Sequence, residues 1–120
     1  VKTKGRIIIS KNAVVEKGVK IIGPAYIGED VYLSAGTVVD RSCIYDNVFV
    51  DRDTTITNSI ILEGSKVGWQ SNIQGSVISR ECLIEEDVAI INSIIGDKMT
   101  IKIHSRLVDA NVVLPTSHIL

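Results

Sequence analysis

From Ile9 onward an aliphatic residue returns at every sixth position: Ile9, Val15, Ile21, Ile27, Leu33 and Val39. The interval then shortens to five and resumes, giving Ile44, Val50, Ile56, then Ile61, Val67, Ile73, then Ile78, Ile84, Ile90, and finally Ile95, Ile101, Leu107 and Val113. All 19 of these positions are Ile, Val or Leu, although those types make up only 41 of the 120 residues. The short step recurs at one place, so Ser42–Asn58, Ser59–Gly75, Ser76–Asn92 and Ser93–Asp109 read as one 17-residue unit written four times. So short a period, with no apolar spacing of i, i+3, i+4 and i+7, specifies a solenoid of strands.

The fourth position after each mark is expected to point inward too. It is small or aliphatic almost throughout, from Ala13, Val19 and Ala25 to Cys43, Ile60, Val77, Cys82 and Ile94, with Thr or Ser at some coils, and is strongly polar only at Asn111. Between the two inward positions lie corner pairs such as Lys17-Gly18, Asp46-Asn47, Glu63-Gly64 and Glu86-Asp87. Gly, Asn and Asp accept the left-handed backbone that a sharp corner requires. Each hexad is thus a short strand followed by a corner, and three hexads close one triangular coil. The expected fold is an all-β, single-stranded parallel β-helix spanning residues 1–120, with about six coils stacked at about 4.8 Å. Its open ends need covering, and Lys2–Arg6 and the tail Pro115–Leu120 are the candidate end pieces.

Aromatic residues make up only 4% of the chain, so the core must be narrow and filled by Ile and Val. A formal charge of −1 gives no electrostatic basis for binding nucleic acid or an anionic membrane. No apolar run reaches transmembrane length, and none reads as a signal segment. The chain begins at Val1 and enters the repeat almost at once, which suggests a piece of a longer protein. Cys43 and Cys82 stand two coils apart on different faces, too far to bridge. They read as small buried hydrophobes in a reducing, cytoplasmic setting.

Hexads such as Ile27–Tyr32 (IGEDVY) and Val15–Lys20 (VEKGVK) resemble the hexapeptide repeat, and that resemblance implies a left-handed β-helix. Gly23–Val31 (GPAYIGEDV), Asn58–Gly68 (NSIILEGSKVG), Ile91–Asp97 (INSIIGD) and Asn111–Pro115 (NVVLP) narrow the likeness. They resemble the C-terminal β-helix of sugar nucleotidyltransferases, closest to mannose-1-phosphate guanylyltransferases. In that family an N-terminal domain transfers the nucleotidyl group, with a glycine-rich loop and magnesium held by acidic residues. No such loop or βαβ unit occurs here. The resemblance therefore implies a non-catalytic assembly or regulatory domain, with no cofactor of its own, in an oligomer whose parent enzyme makes a nucleotide-sugar.

Two other readings compete. Hexapeptide acetyltransferases use a corner histidine as general base, and His104 falls at a corner in IKIHSR. Such enzymes usually extrude a loop to build the site, and no hexad here is interrupted; His118 lies in the tail. The other alternative is a purely structural β-helix subunit, as in translation-factor exchange complexes. A three-imidazole metal site fails on number, since the chain has two histidines. The recurring Ser42, Ser59, Ser76 and Ser93 have no recurring His or carboxylate beside them, so they read as a structural ladder rather than as nucleophiles. No catalytic, cofactor-binding or metal residue is assigned. The feature singled out is an outward ridge of Val14, Tyr32, Phe49, Lys66, Leu83 and Thr100, with Trp69 nearby. Of these, Tyr32, Phe49, Lys66, Leu83 and Trp69 are the candidate interface, toward a second copy or toward the missing catalytic domain.

Overall fold

A computed structural model describes residues 1–113. Within them run twenty strands of two or three residues and no helix, every paired strand parallel to its neighbour. The strands form three sheets of seven, seven and six, so the rod has nearly seven turns where the spacing suggested six. Each sheet collects every third strand: the first begins at Lys2–Lys4, the second at Ile7–Ile9 and the third at Val14–Val15. The molecule is a parallel β-helix, and its register reproduces the repeat. Ile44, Ile61, Ile78 and Ile95 lie directly above one another.

The core follows the aliphatic comb. Every marked residue from Ile21 to Ile95 is fully buried, and Ile101 nearly so. Along the inward positions exposure rises only at the open ends, where Ile9 and Leu107 have a neighbouring coil on one side at most. Lys2–Lys4 is not an end piece: it pairs with Lys20–Ile22 and forms the first strand of the rod. The tail from Pro115 lies outside the described residues, as does His118.

The shortened step corrects the inward pattern. At the corner between the first and second sheets the residue before each serine adopts the left-handed conformation, with φ of 48° at Arg41, 48° at Asn58, 57° at Gly75 and 48° at Asn92, as does Asp109 before Ala110 at 53°. One residue removed from the corner turns the next one inward, so Ser42, Ser59, Ser76 and Ser93 are buried. Cys43, Ile60, Val77 and Ile94, expected inside, instead lie outward, and Ile60 and Ile94 are 39% and 52% exposed. The same slip recurs after Leu107, so Val112, not Val113, pairs with Ile95 and packs on the core. The earlier coils carry one more residue at this corner, through Gly23 and Pro24. A side chain at Gly23 would meet the Arg6 carbonyl at 2.2 Å, so close stacking of the two corners requires glycine.

The buried serines behave as the ladder their recurrence implies. Each hydroxyl donates to the carbonyl two residues earlier, at 2.9 Å from Ser42 to Asp40 and 2.7 Å from Ser76 to Gln74. Each also accepts the amide one coil on, at 3.0 Å for Ser59 on Ser42, 2.9 Å for Ser93 on Ser76 and 3.0 Å for Ala110 on Ser93. A buried corner amide with no strand partner is thereby satisfied without water. Ser65 and Ser71 accept likewise at the other two corners, from Cys82 and Val88 at 3.0 and 3.2 Å, but donate to the Ser79 and Glu85 carbonyls of the next coil.

Candidate functional site

The outward ridge on the third sheet forms in the order expected from the sequence. Val14 pairs with Tyr32, Tyr32 with Phe49, Phe49 with Lys66, Lys66 with Leu83 and Leu83 with Thr100. Val14, Phe49 and Leu83 are 46%, 37% and 43% exposed. The rings of Tyr32 and Phe49 lie 5.5 Å apart, tilted by 31°, so stacking of coils prepacks two aromatics on the surface. The Tyr32 hydroxyl donates to Glu16, whose other oxygen accepts the Ala35 amide at 2.7 Å. The Tyr32 hydrogen bond, with the Ala35 amide, holds the Glu16 carboxyl below its ordinary range; the same bond raises the Tyr32 phenol. Tyr32 is thereby fixed in orientation.

At Phe49 the ridge opens into a shallow cleft of about 320 Å³, lined by Phe49, Lys66 and Leu83 together with Asp51, Glu85 and Glu86. Trp69 stands at the next corner, 40% exposed. Tyr32, Phe49, Lys66 and Leu83 thus form one continuous strip, with Trp69 at its border. The strip is mixed in character, since a cation interrupts its apolar run.

His104 occupies a left-handed corner position with φ of 66°. Its Nδ1 donates to Oδ2 of Asp87 at 2.7 Å, and Arg106 reaches Oδ1 of the same carboxylate at 3.0 Å. The His104 hydrogen bond, reinforced by the Arg106 guanidinium, holds the Asp87 carboxyl below its ordinary range. The side chain of His104 is 68% exposed on a convex corner, where water competes for any proton it would transfer. The arrangement ties adjacent coils together and offers no walls for a substrate. Among the described residues no group of three or more His, Cys, Asp or Glu is placed to hold a metal ion. No helix among them is long and apolar enough to cross a membrane.

Reading the sequence alone missed the outer surface of the second sheet, because Cys43, Ile60, Val77 and Ile94 were assigned to the interior. The signal was present in the serine opening each unit: a buried hydroxyl there forces the following aliphatic residue outward. Cys43 is accordingly half-buried on the outside, whereas Cys82 is buried, its thiol pushed up by burial and donating to the Gly96 carbonyl at 3.0 Å.

Known proteins give the fold and the geometry a context. The chain is 32% identical over 92 residues to the bifunctional protein GlmU of Thermodesulfovibrio yellowstonii, covering 76% of this chain and 20% of that protein. With the GlmU of Rippkaea orientalis it shares 30% identity over 105 residues, 87% of this chain and 23% of the other. It therefore spans about a fifth of the length of these curated relatives. Among solved structures, the acetyltransferase domain of PglB from Neisseria gonorrhoeae superposes with a TM-score of 0.78 at 14% identity, over 85% of this chain and 51% of that one. LpxA of Bacteroides fragilis, a UDP-N-acetylglucosamine acyltransferase, gives 0.54 at 13% identity, over 88% and 64%. At such identities the likeness is one of fold. The profile described as the GMPPB C-terminal domain matches residues 3–120, nearly the entire sequence, and the chain belongs to that family of sugar-nucleotidyltransferase β-helix domains.

Proposed function

We propose that this chain is the non-catalytic assembly domain of a cytoplasmic sugar-1-phosphate nucleotidyltransferase of the guanylyltransferase type, similar to a GDP-mannose pyrophosphorylase. The family match over residues 3–120 carries this reading. The geometry agrees with it: the coils run without an extruded loop from Lys2 to Val112, and such a loop is what hexapeptide enzymes usually build around the substrate. Nucleotidyl transfer, and the magnesium that the resemblance assigns to it, belong to a catalytic domain elsewhere in the parent protein. Free thiols at Cys43 and Cys82 suit a reducing compartment. The strip of Tyr32, Phe49, Lys66 and Leu83, with Trp69, serves as a contact surface of the assembly. Replacing Tyr32 and Phe49 together by Ser is expected to lower the assembled mass in light scattering; an unchanged mass removes this strip from the interface.

One observation favours acetyl transfer instead, the hydrogen bond between His104 and Asp87 at a coil corner. An acetyl-CoA turnover assay on this chain separates the readings. The expected result is no turnover, and turnover that disappears in His104→Ala would overturn the assembly reading. A purely structural subunit would share the silence, but it would lack a catalytic domain upstream of Val1.

A further inference from the structure

The second sheet carries two outward columns side by side. One runs through Ile8, Tyr26, Cys43, Ile60, Val77 and Ile94, paired strand to strand in register. The other lies two residues further along each strand and holds Ser10, Gly28, Tyr45, Leu62, Ser79 and Gly96. None of these twelve residues is charged, and Ile8, Ile60, Ile94 and Tyr45 are 64%, 39%, 52% and 39% exposed. An uncharged face continuous over six coils is more apolar than the Tyr32–Phe49 strip, which Lys66 divides. A surface of this kind marks a contact site.

The pattern of sizes on the face identifies the occupant. At one level after another a large residue stands beside a small one: Tyr26 by Gly28, Tyr45 by Cys43, Val77 by Ser79 and Ile94 by Gly96. The hollow beside Tyr26 is fixed by coil stacking, because a Cβ on Gly28 would lie 2.5 Å from Oδ1 of Asp46. Tyr26 and Tyr45 pack edge to face at 5.7 Å, so the protrusions are preordered as well. Turn a copy about a two-fold axis parallel to the rod, and each level meets itself with its columns exchanged. Large side chains then face hollows, the self-complementarity that an isologous interface requires. Only Ile60 and Leu62 meet as two large residues.

One pair of charges at the edges of the face fits the same operator. Arg41 and Asp46 stand at one level on opposite edges, so the parallel two-fold sets each against the other across the interface, twice over. Arg41 uses Nε on Asp40, and Asp46 uses Oδ1 on the Glu29 amide, which leaves further donors and an acceptor free. Like charges meet only at the first coil, Arg6 against Lys11. An antiparallel two-fold that overlaps all six levels would instead set Ile8 against Ile94, Tyr26 against Val77 and Gly28 against Ser79, large against large and small against small. Its edges would pair Lys11 with Asp97 and Glu29 with Arg80, so shape rather than charge selects the parallel operator.

We propose that this face is a homodimer interface, closed by a second copy of the chain lying parallel and in register across a two-fold axis along the rod. The proposal rests on the assembly reading above and names the face and geometry that carry it. It is tested on the chain as it stands, by light scattering across a concentration series, with circular dichroism to verify the fold of each variant. With the Tyr32–Phe49 strip removed by Tyr32→Ser and Phe49→Ser, the chain is still expected to form a dimer. Ile60→Lys, on the surface and away from the core, should raise the dissociation constant at least ten-fold. Ser79→Trp should raise it too, although it adds apolar surface, because it fills the hollow that receives Val77; tighter association would overturn the fit. Arg41→Glu and Asp46→Arg should each weaken the dimer, and the two together should restore it. Failure to restore, or a trimeric mass, overturns the parallel two-fold. An oligomer that none of these variants disturbs overturns this face and leaves the assembly reading in place. A chain monomeric at every concentration overturns both.

Discussion

The backbone amide of Ser76 donates to the hydroxyl of Ser59 at 3.1 Å, and that hydroxyl donates onward to the Thr57 carbonyl at 2.8 Å. One small side chain thus satisfies a buried donor in the next coil and a carbonyl in its own. The chain makes its tightest corner here, one residue shorter than the other two, and the serine occupies the place an ordinary loop would give to water.

Ser59→Ala leaves the Ser76 amide buried without an acceptor. A buried polar group stranded in this way costs about 1–3 kcal/mol. The expected result is a urea midpoint lowered by that amount with little change in slope, and a stability within error of the parent would show that another acceptor replaces the hydroxyl.

The adjoining Ile60 and Ile61 show how far the sequence could be read. The comb of Ile, Val and Leu was enough to establish strands, parallel stacking and the residues lining the core, because a period of six repeated through the chain fits no other regular structure. Ile61, on the comb, is fully buried as expected. Ile60 was assigned inward by carrying the full-length corner spacing across a shortened one, and it is 39% exposed. Hydropathy could not correct this, since an isoleucine suits either side; only the stacked serines, polar yet buried, betray the rotation. The Tyr32–Phe49 strip was legible because its corner has constant length. Hydrogen bonds from Tyr32 to Glu16 and from His104 to Asp87 join residues 16 and 17 apart, and depend on register rather than on local pattern.

Truncation of these neighbours checks the corrected frame directly. Ile61→Ala should destabilise by about 2–5 kcal/mol, as deletion of a fully buried aliphatic side chain does. Ile60→Ala, measured on dilute chain, should cost about 1 kcal/mol or less, the scale of strand propensity on an open face. Equal losses would return Ile60 to the interior.

Asn58 holds φ of 48° at the corner just before Ser59, where the equivalent place one coil later is Gly75. A β-branched residue pays the full steric penalty of the left-handed region, about 1–2 kcal/mol. Asn58→Val should therefore lower stability by about that much while Asn58→Gly stays near neutral. Chemical denaturation of the two variants side by side distinguishes backbone strain from loss of the amide side chain, because both remove the amide.

Acid should weaken the last coils through Asp87. His104 and Arg106, both from the following coil, hold this carboxyl below its ordinary value in the folded state. A carboxyl depressed by folding binds its proton more readily in the unfolded chain, so stability falls as pH falls. The contribution is whole above the unfolded value, about pH 4, and is lost as pH drops through the lower native value. Asp97, held down by the Arg80 amide and then by its guanidinium, adds in the same direction. Both sites are open to solvent, so salt should reduce the effect. The expected outcome is a melting temperature that declines below about pH 4 and declines less steeply in Asp87→Asn. Identical acid profiles for the two proteins would show that the carboxylate titrates alike in the folded and unfolded chain.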